Sequence, residues 1–550
     1  MSLSHEKLKQ LLTEIAEEMQ GQADLEPLYY AHLLRDPGVA SELIDIINAL
    51  HEDVVFDEAH TYYSACMFAL DLCVAQLQSA HEQGQTLAYL TLTDLMSKIA
   101  LCMRTSQHSL SFWLPILHAF YDVHVDLSTD IKQAYMDLAY AEEPSISEDD
   151  AAYLNALREL ILELSDLSVF DIAEHFFAQS YAMPPEFFAD LFLDLYQLDE
   201  GHDVALLFLL HPDPMVRAHI VQTMDGWIPH VRLSSVSLSR LKAIARWYPQ
   251  ESQATFTRWI KLQRHLGVIF TPNAPASIVR LKASEIDGGG AQGIFIHLKK
   301  NRQHQLAGLL LKSTLGIKDV WVTQRISVRD ATQSYQEAFH DSIMLRDVNL
   351  SYLDLITNHC LAVTLEKGQL PDLHLLEMQE ALGHVFVPQK INPVDLLTSI
   401  GIKIHPFTQE RISLAYKRTR SWVKTKSFTE SWFLENVNVD HIVNRHCIYV
   451  HGVKTCQFQQ ALHDVLEDEM ETHRDQWLFH FLWVALWLKA CCRPQEHQWE
   501  DSFLIAHSIH EGVPLKTIPL FHEMAYQSVM NSIETMQERR THLERVLPES

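Results

Sequence analysis

A chain of 550 residues, 47% hydrophobic and 21% charged, is long enough for several packed cores and too balanced for a membrane bundle or a disordered tail. Its 17 glycines, 20 prolines and mean hydropathy of -0.06 leave little room for long flexible linkers. The net charge of -28 is carried unevenly: residues 1–200 hold 35 acidic and 7 basic side chains, residues 201–350 hold 11 and 18, and residues 351–550 hold 25 and 18. That field should repel nucleic acid and anionic membrane from the first third, with a basic block in the middle.

At the amino end, Leu8, Leu11, Leu12, Ile15 and Met19 recur at helical spacing. No basic stretch followed by a continuous apolar run is present, so the segment reads as an amphipathic helix and not a signal peptide. Helical periodicity continues to about residue 200. Residues 142–150 (EEPSISEDD) form an acidic break, where Ser145 or Ser147 can cap the next helix. Helices follow at 151–165, 168–179, 184–197 and 203–211, then two more across 236–266.

From Ser277 to Thr323 the period shortens towards two, with breaks at Asp287–Gly290, Asn301-Arg302 and Gly316. Gly and Asn tolerate the positive φ of tight hairpin turns, so the stretch predicts an antiparallel sheet of three or four strands. After Ser327 the chain is helical again. Trp477–Leu488 (WLFHFLWVALWL) is too short for the roughly 20 residues that a bilayer needs, and reads as a buried core helix. The last segment, 517–545, reads as one long helix. The expected organisation is mainly α: an acidic helical region at 1–270 with an internal break near 142–150, a small antiparallel β-sheet at 271–326, and a helical C-terminal region at 327–550.

Residues 205–224, ALLFLLHPDPMVRAHIVQTM, join an apolar helix to a second helix through a Pro-Asp-Pro turn. That stretch resembles one unit of a HEAT-type helical repeat. A weaker echo lies at 33–50, where Asp36-Pro37 precedes Val39. The resemblance implies a divergent HEAT-like region of stacked antiparallel helix pairs, an architecture that binds proteins and sometimes nucleic acid. Asp213, Pro214, Val216 and Arg217 fit the family's turn, where such residues are structural. The stretch from Leu233 to Val322 is similar to segments of uncharacterised bacterial proteins, which implies no activity.

Few constellations carry chemistry. Gly288, Gly290 and Gly293 form G-x-G-x-x-G, but a strand follows where a phosphate loop needs a helix, so a hairpin turn is expected. His441, His446, Cys447, His451 and Cys456 are metal-ligating types, yet they lack the paired spacing of a zinc site and are expected to hold no metal. The eight cysteines are scattered, no CxxC occurs, and all are expected to be reduced thiols in a cytosolic protein. The 32 histidines suggest sensitivity to mild acid, with compositional bias as the plainer account.

The best binding candidates are basic. Arg258, Lys261 and Arg264 line one side of a helix beside Trp259; Lys299, Lys300 and Arg302 cluster at a hairpin tip. A second run at 416–426 interleaves Lys417, Arg418, Arg420, Lys424 and Lys426 with Trp422. Cations meet phosphates and aromatics stack on bases, but such runs also solvate a surface or meet acidic protein. The leading expectation is a non-enzymatic cytoplasmic scaffold that holds protein partners on helical surfaces. A nucleic-acid-binding protein acting through the basic centre, and an enzyme of unrecognised type near Asp287, are the alternatives. No catalytic residue and no cofactor is assigned, and no membrane insertion is expected.

Overall fold

The computed structural model describes residues 5–20, 33, 37–51, 61–82, 85–142, 150–270, 275–338, 344–425, 432–450, 453–491 and 496–546. The chain divides into two compact units, one running to Phe208 with Ala218–Ile220 and the residues from Leu543, the other comprising Leu209–Arg217 and Val221–His542.

The first unit is helical: α1 (His5–Gln20), α2 (Ala40–Asn48), α3 (Thr61–Glu82), α4 (Thr86–Thr105), α5 (Leu110–Tyr121), α6 (Thr129–Glu142), α7 (Asp150–Glu163), α8 (Val169–Gln179), α9 (Pro185–Tyr196) and α10 (His202–Leu207). The predicted stripe of α1 is its buried face: Leu8, Leu11, Leu12 and Ile15 pack into one core with Ile44, Leu70 and Val74. Helix α3 is the hub and touches α1, α2, α4 and α5. Its Ala65, Cys66, Ala69, Cys73 and Val74 are small enough to let those neighbours approach. At α8 the Ser168 hydroxyl accepts from the Asp171 amide while the Asp171 carboxylate accepts from the Ser168 amide. This reciprocal cap satisfies two orphan donors and fixes where the helix begins.

Helix α10 has only six residues and packs on α8 and α9. Helix length in this unit ranges from six residues there to 22 in α3, so the described hairpins are of unequal size. Of the acidic break, residues 143–149 lie outside the described residues, as does Asp36 of the weaker repeat echo.

In the second unit α11 (Pro214–Trp227), α12 (Ser235–Ile244) and α13 (Gln253–His265) precede the sheet. The Pro-Asp-Pro turn is a self-contained structure. Asp213 accepts from the Met215 amide at 2.7 Å, Pro214 occupies the first helical turn, and the Arg217 guanidinium donates to the carbonyls of His211 (2.7 Å) and Pro212 (2.6 Å).

Strands β1 (Ser277–Ser284), β2 (Ala291–Lys300), β3 (Gln303–Lys312) and β4 (Gly316–Val322) form antiparallel hairpins. After α14 (Val328–Ala338), β5 (Leu345–Asp347) pairs with β1, so the order is β4-β3-β2-β1-β5. The sheet therefore has a fifth strand beyond the three or four predicted; three residues are too few to show a period of two. Alternation buries Leu281, Ala283, Ile294, Ile296, Leu298, Leu309 and Val320. Helix α15 (Leu350–Glu366) packs on β3 and β4. At Gly316 (φ +87) a Cβ would collide with Thr364 and the Cys360 carbonyl, so glycine lets α15 and β4 meet. At Gly308 a Cβ would overlap the indole of Trp321, which lies opposite in register and rests on the bare backbone.

Apart from Ala218–Ile220, the helices at 214–265 group with this unit. The reason is non-local. Arg240 of α12 makes a two-pronged ion pair with Glu380 of α16 (His374–Leu382), at 2.7 and 3.0 Å, and Ala276 donates to the Ala381 carbonyl. A contact across 140 residues leaves no mark on local periodicity.

The remaining helices are α17 (Pro393–Ile404), α18 (Gln409–Thr419), α19 (Trp422–Thr425), α20 (Val437–His446), α21 (Phe458–Asp464), α22 (Arg474–Ala490), α23 (Glu496–His510) and α24 (Pro519–Val546). A hairpin of β6 (Cys447–Val450) and β7 (Val453–Cys456) joins α20 to α21, and a π-helical turn spans Val465–Met470. The apolar window at 477–488 is indeed a core helix, with Trp477, Phe481, Trp483 and Trp487 buried and α23 packed along it. A buried polar chain links it to the sheet: Trp483 Nε1 donates to Tyr352 Oη (2.9 Å), Tyr352 to Gln292 Oε1 (2.6 Å), and Gln292 Nε2 to the Ser284 carbonyl (2.8 Å).

Candidate functional site

The predicted basic residues fall in two places. On α13, Arg258, Lys261 and Arg264 are all exposed, as their three-residue spacing demands. Arg258 is engaged with Asp225, whose carboxylate also accepts from Trp259 Nε1 at 2.7 Å. Trp259 itself is fully buried, so it cannot stack on a base. At the β2–β3 turn Lys299 and Arg302 are exposed and Lys300 is half-buried, around Asn301 in the left-handed conformation (φ 58).

Two cations of the second basic run are engaged by carboxylates. Arg418 grips the buried carboxylate of Asp501 with two hydrogen bonds (2.7 and 2.5 Å), Arg420 pairs with Glu523, and Trp422 is buried. Burial raises the Asp501 carboxyl above its ordinary range, against the pull of Arg418. Among the described side chains of this run, Lys417 is exposed, while Lys426 and the Lys424 side chain lie outside the described residues.

The glycine-rich segment is the predicted hairpin turn. Asp287 Oδ1 accepts from the Ala291 amide at 2.7 Å, and Gly290 sits at φ 72. Burial lifts the Asp287 carboxyl, opposed by backbone amides and by Lys312. It is a turn-capping carboxylate.

The reading of all eight cysteines as thiols is corrected at one pair. Cys447 and Cys456 face each other directly across β6 and β7 and form a disulfide. Direct opposition in an antiparallel pair brings Cβ atoms within bonding reach. The clue in sequence is Gly452 between two short β-branched stretches. Cys66, Cys73, Cys102, Cys360 and Cys491 are buried thiols; Cys492 lies outside the described residues. The disulfide uses both sulfur ligands of the suspected metal cluster. His446 is occupied too: its Nε2 meets Asp464 Oδ2 at 2.7 Å, a contact that holds the Asp464 carboxyl below its usual range. His441 is exposed, and His451 lies outside the described residues.

A two-stranded hairpin is marginal without support, and a loop of this length, closed over nine residues of separation, gains about 3 kcal/mol from its cross-link. Reduction with dithiothreitol should therefore speed amide exchange across 447–456 while leaving α22 protected. Unchanged exchange in the hairpin would show that its packing suffices.

The reading from sequence missed an apolar surface. Helix α4 buries Leu92, Leu95, Met96, Ile99 and Met103 against α2, α3 and α6. Its other side exposes Leu87 (75%), Leu90 (51%) and Leu101 (59%). These positions lie within one helical stripe, separated by exposed Asp94 and Ser97. The available signal was a helix with more apolar residues than one packed face can use. Among the described residues, α4 is also the one helix long and apolar enough to cross a membrane, by length and composition alone.

The chain is thus a mainly α protein with a small antiparallel sheet, and its described residues expose apolar and basic helix surfaces. Residues 394–533 match the family described as the Y4lR C-terminal helical domain, and residues 184–267 match the Y4lR second domain. A protein of Sinorhizobium fredii (strain NBRC 101917 / NGR234), described as the uncharacterized protein y4lR, is 24% identical over 328 residues, 58% of this chain. The match spans 60% of that relative's length. These similarities support kinship with an uncharacterised bacterial family. No solved structure matches the chain.

Proposed function

We propose that this chain is a non-enzymatic binding protein that receives a partner protein on the exposed stripe of α4, within a divergent helical-repeat surface. The exposure of Leu87, Leu90 and Leu101 carries this reading, because water-facing leucines aligned on one helix cost solubility unless something covers them. The acidic excess of residues 1–200 defines the partner's chemistry: an apolar segment flanked by Lys or Arg. A leucine centre with a charged surround follows the anatomy of transient interfaces, in which a few buried anchors dominate.

The test is a double variant, Leu90→Asp with Leu101→Asp, in the full chain. Both side chains face solvent, so the melting temperature should hold. A partner recovered reproducibly with the wild type should be lost at least tenfold, since each buried leucine anchor contributes about 1.5–3 kcal/mol. Equal recovery by the variant, or no reproducible partner at all, ends the proposal.

A further inference from the structure

Beyond that reading, we propose that the loop following α13 is a docking point for an anionic phospholipid surface. Two side chains at this place are apolar and wet: Leu266 is 42% exposed and Ile269 75%. They end a helix whose last turns carry exposed Lys261 and Arg264. Arg232 reaches the same loop, with its guanidinium 3.8 Å from where a Cβ on Gly267 would stand. Lys242 lies over the Phe270 ring, its Nζ 4.9 Å from the centroid. Two cations, Arg232 and Lys242, thus meet the aliphatic tip at Gly267–Phe270, and Lys261 and Arg264 are exposed on the helix that leads into it.

The described start of the loop, 266–270, is tied to the fold. Gly267 turns the chain at φ 82, Val268 is buried and donates to the Gln263 carbonyl, and the buried Gln263 amide donates to the carbonyls of Ile228 and Val231. Ile269 is thereby presented, not collapsed. The acidic side chains nearest in sequence are Glu251, Glu285 and Asp287, while Asp225 is engaged by Arg258 and Trp259.

Charge complementarity selects a polyanion, and the aliphatic tip selects which one. Nucleic acid would use the cations but has no use for Ile269, and the aromatics that could stack on bases are taken: Trp259 is buried and Phe270 lies beneath Lys242. A bilayer uses both features, with headgroup phosphates on the cations and the isoleucine at the acyl boundary. This is contact with the surface and not a span. Screening over about 8 Å lets a local basic patch act in a chain of net negative charge.

The experiment is co-sedimentation of the full chain with vesicles of phosphatidylcholine containing about a third phosphatidylglycerol, against pure phosphatidylcholine. Binding should require the anionic lipid and weaken in high salt. Ile269→Asp should reduce it about tenfold, and Lys261→Glu with Arg264→Glu should reduce it at least 25-fold, taking about fivefold per cation removed. Circular dichroism confirms folding, and all three positions face solvent. Failure to bind anionic vesicles overturns the proposal, as does full binding by Ile269→Asp. Retention of duplex DNA or polyglutamate through the same cations, with vesicles ignored, reassigns the patch and overturns it equally.

Discussion

Trp483→Ala should destabilise the second unit by about 3–5 kcal/mol, which for a marginally stable protein approaches loss of the fold. The indole is fully buried in α22, and its truncation leaves a cavity that rigid neighbours on α15 and α23 cannot close. It also removes the first donor of the chain running through Tyr352 and Gln292 to the Ser284 carbonyl. Tyr352 is buried too, and burial drives its phenol far above the ordinary range, so the hydroxyl stays neutral and keeps its role as donor to Gln292. Trp483→Phe separates the two losses: it retains most of the ring and forfeits the donor, at about 1 kcal/mol. Denaturant unfolding followed by near-ultraviolet dichroism reads both values. An alanine variant within about 1 kcal/mol of wild type would mean that the helix does not anchor the sheet as described.

Acid should destabilise the second unit through its buried histidines as pH falls below about 6.5. His480 is enclosed by the rings of Trp432 (4.9 Å), Trp477 (5.4 Å) and Phe481 (5.5 Å), and burial pushes its pKa down to about 3. Its Nε2 has no hydrogen-bond partner among the described residues. Burial, and secondarily Lys390, push His359 down to about 4; its Nδ1 accepts from the Ile391 amide, which requires the neutral ring. Both folded values lie below the unfolded histidine value of about 6.5, so the unfolded chain binds the extra protons. Stability is therefore full above about pH 6.5 and falls as pH drops towards 4, by about 1.4 kcal/mol per pH unit for each histidine. Asp287 and Asp501, with raised values, act in the opposite direction and soften the slope. The difference between wild type and His480→Phe isolates one term: the variant's stability should depend less steeply on pH between about 4 and 6.5. Identical slopes would show that His480 takes up its proton within the fold.

Local grammar was legible where it sufficed. The stripe of α1, the hairpin turns at Asp287–Gly290 and Asn301, the core helix at 477–488 and the long last helix all rest on contacts within a few residues, which periodicity and turn chemistry encode. What escaped depended on distance. Arg240 meets Glu380 across 140 residues, and β5 pairs with the edge that β1 offers it. The basic runs show the same limit. Arg418 and Arg420 looked like an offered surface, but their carboxylates lie 83 and 103 residues away. Exposure on α13 and α4 is likewise a property of what fails to cover them, and a one-dimensional pattern cannot express that. The Pro-Asp-Pro turn is the converse case: Asp213 and Arg217 complete its hydrogen bonds within seven residues, so its shape is encoded locally.

Gly308 bears on how the sheet avoids misalignment. Edge strand β4 has hydrogen-bonding partners on one side only, and a two-residue slip would keep its inward side chains inward. Such a slide would carry the indole of Trp321 off the single vacant position and onto Leu306 or Leu310, whose branched side chains stand where the ring must lie. One missing methyl group on β3 thus acts as a keyhole, and the largest side chain of β4 is its key.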